Sequence, residues 1–81
     1  ANIRVNGISA GPVRTLAAAG IPGFRTMLAE TAKINPLKRN ITVDEIAHSI
    51  GFLASDMSSG ITGEIIHVDA GYHIQGAGPS H

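Results

Sequence analysis

Residues 42–70, TVDEIAHSIGFLASDMSSGITGEIIHVDA, decide the fold, because a helix signal, a turn-rich loop and a strand signal follow one another there. Thr42 and Glu45 have the spacing of a capping box, which predicts a helix over 42–54. The short run rich in β-branched residues that follows predicts a strand over 64–70. The apolar residues at helical spacing predict the buried face of this helix: Ile46, Ile50, Leu53 and Ala54.

An earlier strand is predicted over residues 1–9, where Ile3, Val5 and Ile8 alternate with other residues and are the expected buried positions. Asn6-Gly7 is also a hairpin signal, but its flanking runs are only a few residues long, which favours a single strand. Two strands joined by a helical crossover are typical of a βαβ unit with parallel strands. Such a sheet is normally covered on both faces, so its remaining strands must come from elsewhere.

The segment between these elements, residues 10–35, starts as a loop at Gly11-Pro12 and is interrupted again by glycine and proline between residues 20 and 23. From Phe24 the helical period returns and continues to Ile34. Within it we interpret Met27 and Leu28 as core positions. After the second strand, residues 71–81 form a glycine-rich polar tail.

Composition excludes several classes of protein. The 81 residues are 43% hydrophobic and 15% charged and include no cysteine, which disfavours a disordered tail and excludes disulfides. No apolar run could cross a membrane, and zero net charge disfavours a nucleic-acid partner, so we expect contact with neither. A small domain without disulfides is more often cytosolic than extracellular, so we expect a cytoplasmic protein. The four histidines have no metal spacing, and no hydrolase set is present.

Charge is divided unevenly along the chain. All six lysines and arginines lie in residues 1–40 beside one acid, and the other five acids lie in residues 41–81. One interpretation is a basic surface for an anionic ligand or partner. The other is attraction between the two halves, together with ordinary solvated side chains.

Two segments resemble the short-chain dehydrogenase/reductase superfamily. The segment IRVNGISAGPVRT (3–15) is similar to a late strand and its following loop. The segment FLASDMSSGITGEIIHVDAGY (52–72) is similar to the last helix and strand. That strand usually ends in Val-Asp-Gly-Gly, and here Ala70 replaces the first of the two glycines. Within it, SAGPVRTLAAAGIPGF (9–24) resembles the substrate loop of bacterial enoyl-acyl-carrier-protein reductases of type II fatty-acid biosynthesis. The resemblance implies an α/β fold, namely the last two strands and crossover helices of a Rossmann-like doubly wound parallel sheet.

The same resemblance implies site residues. The backbone of Val13 would bind the nicotinamide carboxamide and Thr15 the pyrophosphate. The full cofactor-binding set is Val13, Arg14, Thr15, Leu16 and Ala17, and the acyl substrate would lie under a lid that includes Ala17, Ile21 and Phe24. The implied cofactor is NADH, with NADPH left open because the residue that selects between them lies upstream. Arg25 beside the lid would meet the acidic carrier protein, or it is a solvated charge.

The catalytic pair of the family has no counterpart here. That pair is a tyrosine followed six or seven residues later by a lysine, whereas Tyr72 is the only tyrosine and Lys38 the last lysine. A glycine-rich phosphate loop is also missing. We therefore expect residues 1–81 to be the C-terminal segment of a single domain, inactive alone. Its partners would be the rest of its own polypeptide, an enoyl thioester on acyl carrier protein, and identical subunits in a homotetramer.

Two alternatives stay open. One is a segment of another short-chain reductase, such as a 3-oxoacyl-acyl-carrier-protein reductase. The other is a non-catalytic oligomerisation segment.

Overall fold

A computed structural model describes residues 3–15 and 20–75. Strand β1 (Gly7–Ala10) is followed by helix α1 (Phe24–Ile34), helix α2 (Val43–Ala54) and strand β2 (Ile65–Val68). Short 3₁₀ helices occupy Asp56–Ser58 and Tyr72–Ile74. The two strands pair in parallel, with Gly7 opposite Ile65 and Ala10 opposite Val68. The parallel βαβ arrangement predicted from the sequence is thus present.

The first strand is shorter than predicted and begins at Gly7. The residues before Gly7 lie beside the loop 58–63, which is not a strand and so cannot form regular strand-to-strand hydrogen bonds with them. Instead the backbone N–H of Val5 donates to Thr62 Oγ1 at 3.1 Å, and Gly63 N–H donates to the carbonyl of Val5 at 2.8 Å. The Asn6 amide completes the connection by donating to the carbonyl of Ile61 and accepting from the backbone N–H of Glu64.

The second strand also ends earlier than predicted, at Val68. Ala70 and Gly71 have φ values of 58° and 90°, a left-handed conformation that turns the chain out of the strand direction. Gly71 is required here, because a Cβ atom on it would lie 2.7 Å from Cγ of Pro36. We call residues 68–73 the anchor turn.

Helix α2 begins as the sequence predicts. The Thr42 hydroxyl accepts from Glu45 N–H at 3.1 Å, and the Glu45 carboxylate accepts from Thr42 N–H at 2.9 Å, so the capping box is complete. Helix α1 instead begins after Gly23, whose φ of 78° follows from the absence of a side chain, and it has no side-chain cap. Asn35 ends α1: its N–H donates to the carbonyl of Thr31, and Pro36 follows.

Arg4 connects the start of the chain to the end of α2. Its guanidinium donates to the carbonyls of Ser58 and Ile61 at 2.9 and 3.2 Å, and to those of Leu53 and Ser55 at 3.3 and 3.4 Å. It also donates to Ser58 Oγ at 3.1 Å. A cation here complements the negative end of the α2 dipole and adds a charged donor to carbonyls at the end of α2 and in the loop that follows it.

Little apolar surface is buried among the described residues. Ile41 and Ala70 are the hydrophobic residues below a tenth exposed, and the expected core positions Ile3 and Val5 are 77% and 70% exposed, which corrects that expectation. Expected core positions on the helices are also open: Met27 and Ile50 are exposed, and Leu28 is only half-buried. The physical reason is that the two strands and two helices of the described residues are too few to cover these side chains.

Candidate functional site

The loop after β1 and the first two turns of α1 enclose a cavity of about 460 Å³. Arg14 comes from the loop, and Phe24, Arg25 and Leu28 come from α1. Phe24 and Leu28 lie four residues apart, so they share a face of the helix, and Arg25 lies beside them. The cavity therefore combines two apolar side chains with two guanidinium groups, a lining suited to a ligand with an apolar part and an anionic part. We call residues 11–15 and 24–34 the site region.

The loop of the site region leaves the sheet at the carboxyl end of β1, where open α/β sheets bind their ligands. The N–H of Gly11 donates to the carbonyl of Val68 at 2.9 Å, so the loop begins fixed to the end of β2. Val13 is half-buried, and its backbone N–H and C=O make no hydrogen bond to another described residue. Arg14 and Thr15 are exposed, and Thr15 has a polar interaction.

The structure brings together some of the residues predicted for the site. Arg14 from the cofactor set, Phe24 from the substrate set and Arg25 share the cavity. Val13, Thr15 and Ile21 are not among its described lining residues, and Ile21 is 55% exposed. Leu16 and Ala17 lie outside the described residues. Leu28, which the sequence assigned to a helix core, lines the cavity instead.

A second polar cluster was not found by sequence reasoning. Asp69 is only 8% exposed, and its carboxylate accepts from Gly71 N–H at 3.0 Å and His73 N–H at 3.1 Å. Nδ1 of His73 lies 3.2 and 3.1 Å from the two carboxylate oxygens, and the His73 ring stacks on that of His67 with centroids 3.9 Å apart. The one available sequence signal was the spacing of four residues between Asp69 and His73.

The hydrogen bonds also set the charge of Asp69. Burial by itself raises the pKa of a carboxyl group. The hydrogen bonds from the His73 ring, from Gly71 N–H and from His73 N–H outweigh burial and hold the pKa of Asp69 below its usual value. Asp69 is therefore an anion that fastens the anchor turn.

The uneven charge is partly explained by an ion pair between the two halves of the chain. Arg39 binds both carboxylate oxygens of Glu45, at 2.9 and 2.8 Å. Hydrogen bonds from Arg39 and from the backbone of Thr42 lower the pKa of Glu45 to about 2. Arg14 and Arg25 line the cavity, and the other interpretation, a basic surface for an anionic ligand or partner, stays a prediction.

The sequence profile of the enoyl-(acyl carrier protein) reductase family matches residues 1–73. The chain belongs to this family. The resemblance seen in the loop SAGPVRT and in the last strand is thereby confirmed. Among the residues that the structure describes, no helix is long and apolar enough to cross a lipid bilayer, and no three histidine or acidic side chains group as a metal site.

Individual enoyl-acyl-carrier-protein reductases are closely similar. The chain is 56% identical to the NADH enzyme FabI of Synechocystis sp. over 75 residues, which are 93% of this chain and 29% of the relative. It is 57% identical to the NADPH enzyme FabI of Staphylococcus aureus over 72 residues, 89% of this chain and 28% of the relative. The chain thus spans less than a third of the length of these relatives.

A solved enoyl-acyl-carrier-protein reductase has the same fold. The enzyme of Anaplasma phagocytophilum in complex with NAD superposes with a TM-score of 0.81 at 51% identity, over 93% of this chain and 29% of that one. Together with the parallel pairing of β1 and β2, this confirms the predicted Rossmann-like α/β class.

Proposed function

We propose that this chain supplies the nicotinamide and pyrophosphate contacts and the acyl-substrate lid of an NADH-dependent enoyl-acyl-carrier-protein reductase of type II fatty-acid biosynthesis. The observation that carries the proposal is the cavity in which Arg14, predicted to contact the cofactor, meets Phe24, predicted to contact the substrate. Its volume of about 460 Å³ falls in the range of small-molecule sites.

The loop fits a nicotinamide dinucleotide. A carboxamide presents one donor group and one acceptor. The C=O and N–H of Val13, which make no hydrogen bond to another described residue, match them. Arg14 would supply a cation, and Thr15 a hydroxyl, to the pyrophosphate. Leu16 and Ala17 complete the proposed contact set. Bound NADH would supply the hydride that reduces the enoyl double bond.

Ile21 and Phe24 would cover the acyl chain, with Ala17 leaving room for it. Ile21 is exposed and Phe24 half-buried, so both have apolar surface available for a ligand. Excluding water from the reacting bond is the contribution expected of such a cover. Arg25, at the rim of the same cavity, would meet the acidic carrier protein that delivers the thioester.

The tyrosine that supports the enolate oxygen and the lysine that binds the ribose would come from the rest of the polypeptide. Tyr72 is the only tyrosine here, and no lysine follows it.

The proposed assembly of the whole enzyme is a cytoplasmic homotetramer. The exposed apolar side chains of β2 and α2, among them Ile65 and Ile50, and that of Val5 before β1 would be covered by the rest of the polypeptide and by identical subunits. Light scattering on the whole enzyme tests this, and a monomeric mass contradicts it.

The decisive experiment compares substrates with the whole enzyme. We expect NADH oxidation with a crotonyl thioester and little with an acetoacetyl thioester. The reverse preference would identify a 3-oxoacyl reductase instead. Absence of cofactor binding, with a stable oligomer, would support the oligomerisation segment. Replacing NADH by NADPH in the same assay determines the cofactor.

A further inference from the structure

We propose that Asp69 is a positioning residue, which holds both parts of the site region, the loop 11–15 and helix α1, on the anchor turn. This inference rests on the proposed function, because it concerns how that site keeps its shape. Neither Asp69 nor His73 lines the cavity among the described residues. Asp69 therefore acts through the backbone that it fastens.

The loop is fixed to the anchor turn at its first residue. Gly11 N–H donates to the carbonyl of Val68, and a Cβ atom on Gly11 would lie 3.0 Å from Cβ of Asp69. The loop backbone thus rests directly against the Asp69 side chain. Displacement of Asp69 would displace the start of the segment that carries Val13 and Arg14.

Helix α1 is fixed to the same turn at its other end. Leu37 N–H donates to the carbonyl of Ala70 at 3.2 Å, and Pro36 packs against Gly71. Beyond the turn, the Gln75 amide donates to the carbonyl of Ile34, the last residue of α1. The loop and the helix therefore share one support, although they form opposite ends of residues 11–36.

The conformation of the support depends on the Asp69 carboxylate. Ala70 has a φ of 58°, a left-handed conformation that is unfavourable for a residue with a side chain. The carboxylate offsets this cost by binding the N–H groups of Gly71 and His73, which lie on the far side of Ala70. The His73 ring binds the same carboxylate and stacks on His67, which closes the turn over the strand.

The experiment uses the whole enzyme with Asp69→Asn and His73→Gln, and with His48→Gln as the matched control, because His48 is an exposed histidine on α2. The first readout is hydrogen–deuterium exchange, which is independent of activity. We expect faster exchange in peptides from 11–15 and 24–34 of Asp69→Asn and His73→Gln than of the wild type, with α2 unchanged. Unchanged exchange in the site region of Asp69→Asn overturns the inference.

The second readout separates positioning from loss of folded protein. For Asp69→Asn we expect the KM for NADH to rise about tenfold, with kcat changed less than about twofold, since a charge-assisted hydrogen bond is lost and no reacting group is touched. His73→Gln should raise the KM about threefold, and His48→Gln should leave it unchanged. A fall in kcat at constant KM would overturn the inference. An inactive wild-type enzyme whose variants still show the exchange pattern would instead overturn the proposed function alone.

Discussion

Arg4 and Asp69, which fasten the fold, use charge in the opposite way to the site region. The hydrogen bonds of Arg4 and Asp69 go mostly to backbone atoms. In the site region, Arg14 and Arg25 have exposed side chains, and α1 has no buried residue and no side-chain cap. The difference shows that charge stabilises this fold where it pairs with backbone dipoles, and that it remains available for a ligand where it does not.

The largest effect should follow from removing Arg4. In the whole enzyme, Arg4→Ala leaves four carbonyls without their cationic donor, and we expect the free energy of unfolding to fall by about 3 kcal/mol. Urea denaturation measures it. Arg25→Ala, in the site region, should change the free energy of unfolding by less than about 0.5 kcal/mol. Equal losses for both variants would remove the distinction between the two uses of charge.

A smaller loss is expected at Gly71 of the anchor turn. Gly71→Ala meets both a φ of 90° and a contact of 2.7 Å with Pro36, and it should cost about 2–3 kcal/mol of unfolding free energy. Gly63→Ala is the matched control, because Gly63 has a φ of 74° with nothing within 4 Å, and it should cost about 1 kcal/mol. Thermal or urea unfolding measures the pair, and a Gly63 effect as large as that of Gly71 would show that packing against Pro36 is unimportant.

Acid should weaken the capped end of α2 through Glu45. Its pKa is about 2 in the folded protein against an ordinary 4.5, so the stability it contributes is complete above pH 4.5 and is lost as pH falls towards 2. Melting temperature measured against pH should therefore fall less steeply between pH 4.5 and 2 in Glu45→Gln than in the wild type. The control is Glu30→Gln, which removes an exposed acid outside the capping box. Its melting temperature should depend on pH as steeply as that of the wild type.

The smallest effect concerns the site region alone. Arg25→Glu should raise the KM for a carrier-protein-bound substrate about threefold at low salt, because a rim charge mainly affects encounter with an acidic partner. The KM for a short thioester without carrier protein should stay the same, as should unfolding. Arg25→Gln should give an intermediate value. An unchanged KM for the carrier-bound substrate would show that Arg25 is a solvated side chain.

Local rules accounted for much of the fold. The capping box at Thr42 and the helix from Phe24 to Ile34 follow from spacing within a few residues, and parallel pairing follows from the order of the elements. The ends of the strands did not follow, because β1 begins where its partner becomes extended and β2 ends where Ala70 adopts a positive φ. Both depend on residues more than fifty positions away or on a turn that the sequence pattern did not reveal.

The candidate site divides in the same way. The sequence by itself determined the family and the segment that carries the site, because the order SAGPVRT and the glycine and proline positions after it are local features. Only the tertiary structure decided that Arg14, Phe24, Arg25 and Leu28 share one cavity, and that Arg4 and Asp69 bind backbone groups. The physical reason is that the type of a charged residue does not tell whether its side chain faces water or backbone carbonyls. Its role is set by which dipoles the folded chain brings within hydrogen-bond distance.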